Sequence, residues 1–202
     1  MMTGWRRWKR RARSGAAGTV MIRTLGLILM LTMVPMAEPA LAQSKAKAPQ
    51  LDASLKQFIA EMTPLTGRAL EPLEGKAVVV TFFASWCPPC RPEFGHLNEV
   101  RQAFPESEVA ILAINLFEDF FQKGKQRRMM RFLSATRPDF PVLRAADDAT
   151  IETRFGGVDR IPTVYIFHRD GTPAYSFVHQ DGAEKTHATA AEVTAALRKI
   201  IE

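Results

Sequence analysis

Apolar positions along this chain fall into two kinds of run, continuous β-branched or aromatic stretches and segments with helical spacing, and the two alternate. That order predicts an α/β domain whose helices cover both faces of a central mixed sheet. Lys76 to Ala84 (KAVVVTFFA) and Glu108 to Asn115 (EVAILAIN) read as strands buried on both sides. Between them, Pro88 to Phe104 reads as a helix. Gln122 to Thr136 reads as a second, with Phe120, Phe121, Met129, Met130, Phe132 and Leu133 turned to the core and Lys123, Lys125, Arg127, Arg128 and Arg131 read as a solvated face, an acidic docking site being the alternative. Asp147 to Phe155 is a short helical segment. Thr163 to His168 and Thr172 to Val178 read as antiparallel strands around the turn Arg169-Asp170-Gly171, and Ala188 to Ile201 closes the chain as an amphipathic helix.

Ahead of residue 43 the pattern changes. A basic stretch is followed by the uncharged run Thr24 to Ala37 and then by Ala40-Leu41-Ala42, a small-x-small cleavage pattern, which predicts a signal peptide over 1–42. The run's 14 residues fall short of the roughly 20 that a membrane-crossing helix needs, favouring a cleaved leader over an uncleaved anchor. Met21 is an alternative start that leaves a compact signal. Residues 43–50 (QSKAKAPQ) read as a linker, and 51–202 as one domain. The net charge is +6. Seven of the 27 basic residues and one of the 21 acidic residues lie in 1–42, leaving 20 of each for the body. The body is therefore neutral, nucleic acid loses its main support as a partner, and membrane contact is expected only through the leader. An apolar fraction of 47% excludes a disordered chain.

Two cysteines cannot form the framework of a small disulfide scaffold, and no second Cys pair or His-x-x-x-His completes a zinc site, so the residues require no metal and no cofactor. Both lie in Trp86-Cys87-Pro88-Pro89-Cys90, between a strand and a helix. Cys90, three residues on, returns over nearly the same point of the turn, so a disulfide closes there. At the helix mouth Cys87 faces unpaired N–H groups and the positive end of the dipole, which favour its thiolate and make it the nucleophile; Cys90 is the resolving thiol. A structural disulfide or half of a metal knuckle has the same letters, but the strand before and the helix after favour a redox-active dithiol. Pro88 and Pro89 both lack an N–H and leave the thiolate with fewer donors. A reducing poise follows, nearer about −270 mV than about −120 mV.

The strand ending at Trp86, the Cys87-Pro88-Pro89-Cys90 motif, Glu93 three residues later and Gly157-Val158-Asp159-Arg160-Ile161-Pro162-Thr163 far downstream resemble the TlpA/ResA-like branch of the thioredoxin superfamily, over about residues 65–202. The resemblance implies a thioredoxin fold, export to the periplasm, and thiol–disulfide exchange with protein clients. That exchange is often reductive and often serves cytochrome c maturation or copper-site assembly, with a membrane thiol transporter as electron donor. It implies that Ile161-Pro162 is a cis peptide beside the dithiol, and that the Ile161 backbone pairs with an incoming peptide as an added strand. It places Glu93 close to the cysteines, where a carboxylate raises both thiol pKa values and passes protons. Trp86, at the rim, shields Cys87 and offers a flat contact surface. The chain departs from the pattern in having Gly95 where relatives carry a proline, and Pro92 instead, which is expected to forfeit the bond to the Pro88 carbonyl and kink the helix early. His96, His168, His179 and His187 are scattered and read as surface residues; Glu118 and Asp119 end a strand on the side of the motif if the sheet is parallel there, and read as a solvated loop with a partner contact as the alternative. The function expected is an exported thiol:disulfide oxidoreductase acting reductively. Its rivals are a disulfide oxidase or isomerase and a metal-handling or binding module without turnover.

Overall fold

In the computed structural model, which describes residues 46–202, the chain runs α1 (Ala53–Ala60), β1 (Thr63–Pro64), β2 (Ala77–Phe83), α2 (Cys90–Ala103), β3 (Val109–Asn115), a 3₁₀ turn (Glu118–Phe121), α3 (Lys125–Thr136), β4 (Val142–Arg144), α4 (Asp148–Arg154), β5 (Thr163–Phe167), β6 (Pro173–Val178) and α5 (Ala190–Ile201). The expected signal peptide lies outside the described residues. The strands form one mixed sheet in the order β1-β4-β3-β2-β5-β6. At its centre β2 runs parallel to β3 and antiparallel to β5, and every residue of these three strands is buried, as their unbroken apolar runs require.

Alternation along β2 sorts the helices into two layers. Phe83 packs its ring on Phe94 of α2 and Phe132 of α3, at 4.7 and 5.1 Å between centroids, and Thr81 points the same way, toward α2. Phe82 faces the opposite layer and meets Phe155, just past α4, at 4.8 Å. α1 joins that second layer: Arg154 of α4 bonds Ser54 and lies over the Phe58 ring. α5 packs on α2 and on β2, β5 and β6. The expected α/β class with helices on both faces is the one observed. Among the described residues, no helix is long and apolar enough to cross a membrane.

Several local expectations need correction. The helix after the cysteine motif starts at Cys90, with Pro89 as its cap, two residues later than the expected Pro88, so Cys87 sits in the turn before the helix and not at its mouth. Pro92 is then the third residue of α2, where an N–H has no intrahelical partner, so the proline costs no bond; the Pro88 carbonyl accepts from the Arg91 N–H at 3.3 Å. Phe120, Phe121 and Met130 are 74%, 49% and 59% exposed, not core. The two phenylalanines belong to the 3₁₀ turn, which Gly124 (φ 73°) separates from α3, and α3 buries only the stripe Met129, Phe132 and Leu133, which Met130 misses. Arg128 is half-buried, not solvated: its guanidinium donates to the Lys123 and Phe121 carbonyls. α1, β1, β4 and the 3₁₀ turn had no counterpart in the sequence pattern; the two strands are two and three residues long, too short to show a period.

Residues 46–50, the described end of the expected linker, lie against the domain. The Lys47 N–H donates to the Gly156 carbonyl at 3.1 Å, Leu51 N–H to Gly171 carbonyl at 2.9 Å, and Ala48 is buried. Gly156 adopts φ +74°, and a Cβ there would lie 1.9 Å from the Lys47 carbonyl oxygen. Gly156→Ala is expected to cost at least about 2 kcal/mol and to lower the melting temperature by several degrees, combining left-handed strain with a backbone clash. Gly182→Ala, at φ +75° with nothing within 4 Å, carries the strain alone and is expected to lose only about 1 kcal/mol. Thermal unfolding of the two variants checks this; equal melting temperatures would contradict the docking of residues 46–50.

Candidate dithiol site

β2 delivers the chain to Ala84, and the next six residues form the site. The Cys87 N–H turns back to the Ala84 carbonyl at 3.1 Å, two prolines follow, and Cys90 begins α2. Cys87 and Cys90 are joined in a disulfide with their Cα atoms 5.5 Å apart. Cys90 is wholly buried, whereas Cys87 retains a sliver of surface on an open groove. That groove, of about 470 Å³, also takes in Trp86, Pro88, Phe117, Ile161 and His179. The Ile161-Pro162 bond is cis and directly precedes β5. Trp86, Cys87 and Ile161 are thus brought together along one rim, with Pro162 next in the chain.

The turn is gripped from the end of β3. Glu118 is 3% exposed, not a solvated loop residue: its carboxylate accepts from the Ser85 N–H at 2.8 Å, the Ser85 hydroxyl at 2.5 Å and Asn115 Nδ2 at 3.1 Å. The Arg128 guanidinium stands 4.0 Å from the same carboxylate. Beside it, Trp86 Nε1 donates to the Phe117 carbonyl at 2.8 Å. Phe117 has a left-handed backbone (φ 60°), a conformation costing a non-glycine residue about 1 kcal/mol. Its N–H donates to Asp148 at 3.1 Å, so both sides of the strained residue are bonded. The half-buried Trp86 ring in turn packs on Phe121 and Phe120, at 5.3 and 5.7 Å.

Glu93 does not reach the groove. It is fully buried on α2, three residues past Cys90 and so on the same helical face, where Oε1 accepts from the Thr81 hydroxyl at 2.5 Å and Oε2 from the Ala188 N–H at 3.3 Å. Burial pushes its carboxyl up to about 7, against the pull of those two hydrogen bonds. The histidines are not all scattered: His96 and His187 stack at 5.3 Å beside Ala188, and burial, with the neighbouring ring, holds His187 below its usual range. His179 lines the groove, with a buried Nδ1 that has no hydrogen-bond partner among the described residues. Phe117 and His179 carried no signal in the sequence, because strand pairing alone brings them to the cysteines; the sequence pattern places Glu118 on the side of the motif but shows neither its burial nor its grip on Ser85. Among the described residues, no group of three or more His, Cys, Asp or Glu side chains is arranged to hold a metal ion.

The Redoxin family profile matches residues 44–195. The chain is 25% identical over 154 residues to sporulation thiol-disulfide oxidoreductase A of Bacillus subtilis (strain 168), covering 76% of this chain and 83% of that protein. It is 27% identical over 136 residues to thiol-disulfide oxidoreductase ResA of Bacillus thuringiensis (strain Al Hakam), covering 66% and 73%. The crystal structure of StoA from Bacillus subtilis superposes with a TM-score of 0.52 at 20% identity, over 67% of this chain and 92% of that one, a likeness of fold: the thioredoxin fold expected above.

The raised Glu93 carboxyl links stability to pH. Between about 4.5 and about 7 the unfolded chain releases the proton while the folded protein keeps it, so stability falls as pH rises through that window and is flat above it. Urea unfolding of the oxidised protein is expected to show a loss on the order of 3 kcal/mol across the window, absent from Glu93→Gln. Parallel pH profiles for the two proteins would contradict the burial of an ionisable carboxyl at this position.

Proposed function

The chain belongs to the Redoxin family and is a thiol-disulfide oxidoreductase, and we propose that it is exported to the periplasm and reduces protein disulfides through Cys87 and Cys90. The observation that carries this reading is a closed Cys87–Cys90 disulfide in which Cys87 alone of the two borders the groove. In the reduced form the Cys87 thiolate attacks a client disulfide, forming a mixed disulfide and releasing one client thiol. Cys90 then loses its proton, attacks Cys87 and expels the second client thiol. The protein ends as the disulfide, and the client has gained two electrons and two protons.

Trp86, Ile161 and Pro162 position the client. The Ile161 backbone N–H and carbonyl make no hydrogen bond among the described residues, which leaves them for an extended client segment to pair with as an added strand. Glu93, with a carboxyl near 7 on the Cys90 face of α2, is placed to take and return the proton of the resolving thiol. The clients are those the resemblance implies, in cytochrome c maturation or copper-site assembly. A membrane thiol transporter recharges the pair.

An insulin-type disulfide reduction assay tests the reading: wild type is expected to turn over and Cys87→Ser to fall to the uncatalysed rate. Equilibration with a glutathione buffer is expected to give a potential below about −200 mV. A variant as active as wild type would overturn the dithiol mechanism, and a potential above roughly −180 mV would place the protein among net oxidants.

A further inference from the structure

The aromatic and basic surface beside the groove is not used by this chemistry. Phe120 and Phe121 stand largely in solvent at the Trp86 ring, which itself borders Cys87. α3 continues from them, and residues 122–138 contain six basic side chains and no acid. Lys123, Arg127 and Arg131 are exposed and have no ion-pair or hydrogen-bond partner for their side chains among the described residues. Three solvent-facing cations on one short segment, without a counter-charge, do nothing for stability, and an exposed phenylalanine pair costs solubility. Both features make sense when something covers them.

We propose that Trp86, Phe120 and Phe121, with the basic side chains Lys123, Arg127 and Arg131, form a docking surface for the client polypeptide, fitted to an acidic segment that carries an apolar residue beside its reactive cysteine. The inference rests on the dithiol reading above and names the client's chemistry. Charge complementarity selects an acidic partner. Continuity selects a polypeptide over an anionic membrane: the aromatic cluster runs directly into the groove at Cys87, so a bilayer seated there would close the dithiol to its clients. The apolar side chain packs on the two phenylalanines, and the acidic flank lies along α3.

The test uses the reduced protein and synthetic peptides of one sequence, each with a single cysteine held as its mixed disulfide with 2-mercaptoethanol beside a leucine, flanked by glutamates in one peptide and by lysines in the other. Wild type is expected to react at least about fivefold faster with the acidic peptide at low ionic strength, the ratio falling toward one as salt shortens the screening length. The triple variant Lys123→Glu, Arg127→Glu, Arg131→Glu is expected to invert the preference, a gain on the lysine peptide that a misfolded protein does not give. A third peptide, acidic but with serine in place of the leucine, is expected to react more slowly with wild type, and Phe120→Ser is expected to erase that difference. A cysteine-free acidic peptide, followed by fluorescence anisotropy, reads docking without exchange. Equal rates on both peptides overturn the docking surface and leave the dithiol reading intact. Binding of the cysteine-free peptide with no exchange on either disulfide supports the surface and overturns the dithiol reading. Charge-dependent binding to vesicles of phosphatidylglycerol and phosphatidylcholine, without discrimination between the peptides, overturns the proposal in favour of a lipid surface.

Discussion

The geometry of the sulfur pair depends on one buried carboxylate. Glu118, arriving from the end of β3, takes both the N–H and the hydroxyl of Ser85 and so fixes the first residue of the turn that leaves β2. Without that grip, the segment from Ala84 to Pro89 has one backbone bond of its own, from Cys87 to Ala84, and two prolines that donate nothing. Such a turn does not hold a sulfur in place by itself. The same residue group reaches outward: Asn115 ties Glu118 to the Phe83 carbonyl, and Phe117, bent into a left-handed conformation, receives the Trp86 indole. Strain at Phe117 is the local cost of bringing Trp86 to the rim.

Two buried carboxyls thus flank the motif in different surroundings. Glu118 accepts three well-formed hydrogen bonds and has Arg128 nearby, an arrangement suited to holding a backbone. Glu93 has one hydroxyl and one distant N–H, and burial outweighs them, which leaves its proton poised near neutrality. Environment, not residue type, sets the two carboxyls apart. Charge is one-sided as well: the body is neutral, while Lys123, Arg127 and Arg131 on the segment that follows the Trp86 aromatic cluster are exposed and unpaired among the described residues.

What the letters disclosed follows from where the information sits. β2, β3, α2 and α5 were legible because their apolar periods are long, the cysteine pair because it is a short local motif, and the cis Ile161-Pro162 bond only through the family resemblance. Glu118 was legible only as a strand-end residue on the side of the motif; its bond to Ser85 was not, since it spans 33 residues and exists only once β3 lies parallel to β2. Phe120 and Phe121 misled because an apolar residue next to a helical pattern reads as part of it; the glycine at 124 breaks the phase, and the pair falls outside the core. The docking of Lys47 onto Gly156 was hidden for the same reason as Glu118, joining residues far apart in the chain through the backbone alone.

The most direct examination of the central claim counts sulfurs that react in the folded protein. After reduction with dithiothreitol under native conditions and a timed quench with iodoacetamide, mass spectrometry is expected to find rapid single alkylation at Cys87 and far slower modification of Cys90. Failure of both cysteines to react until the chain is unfolded would contradict the account.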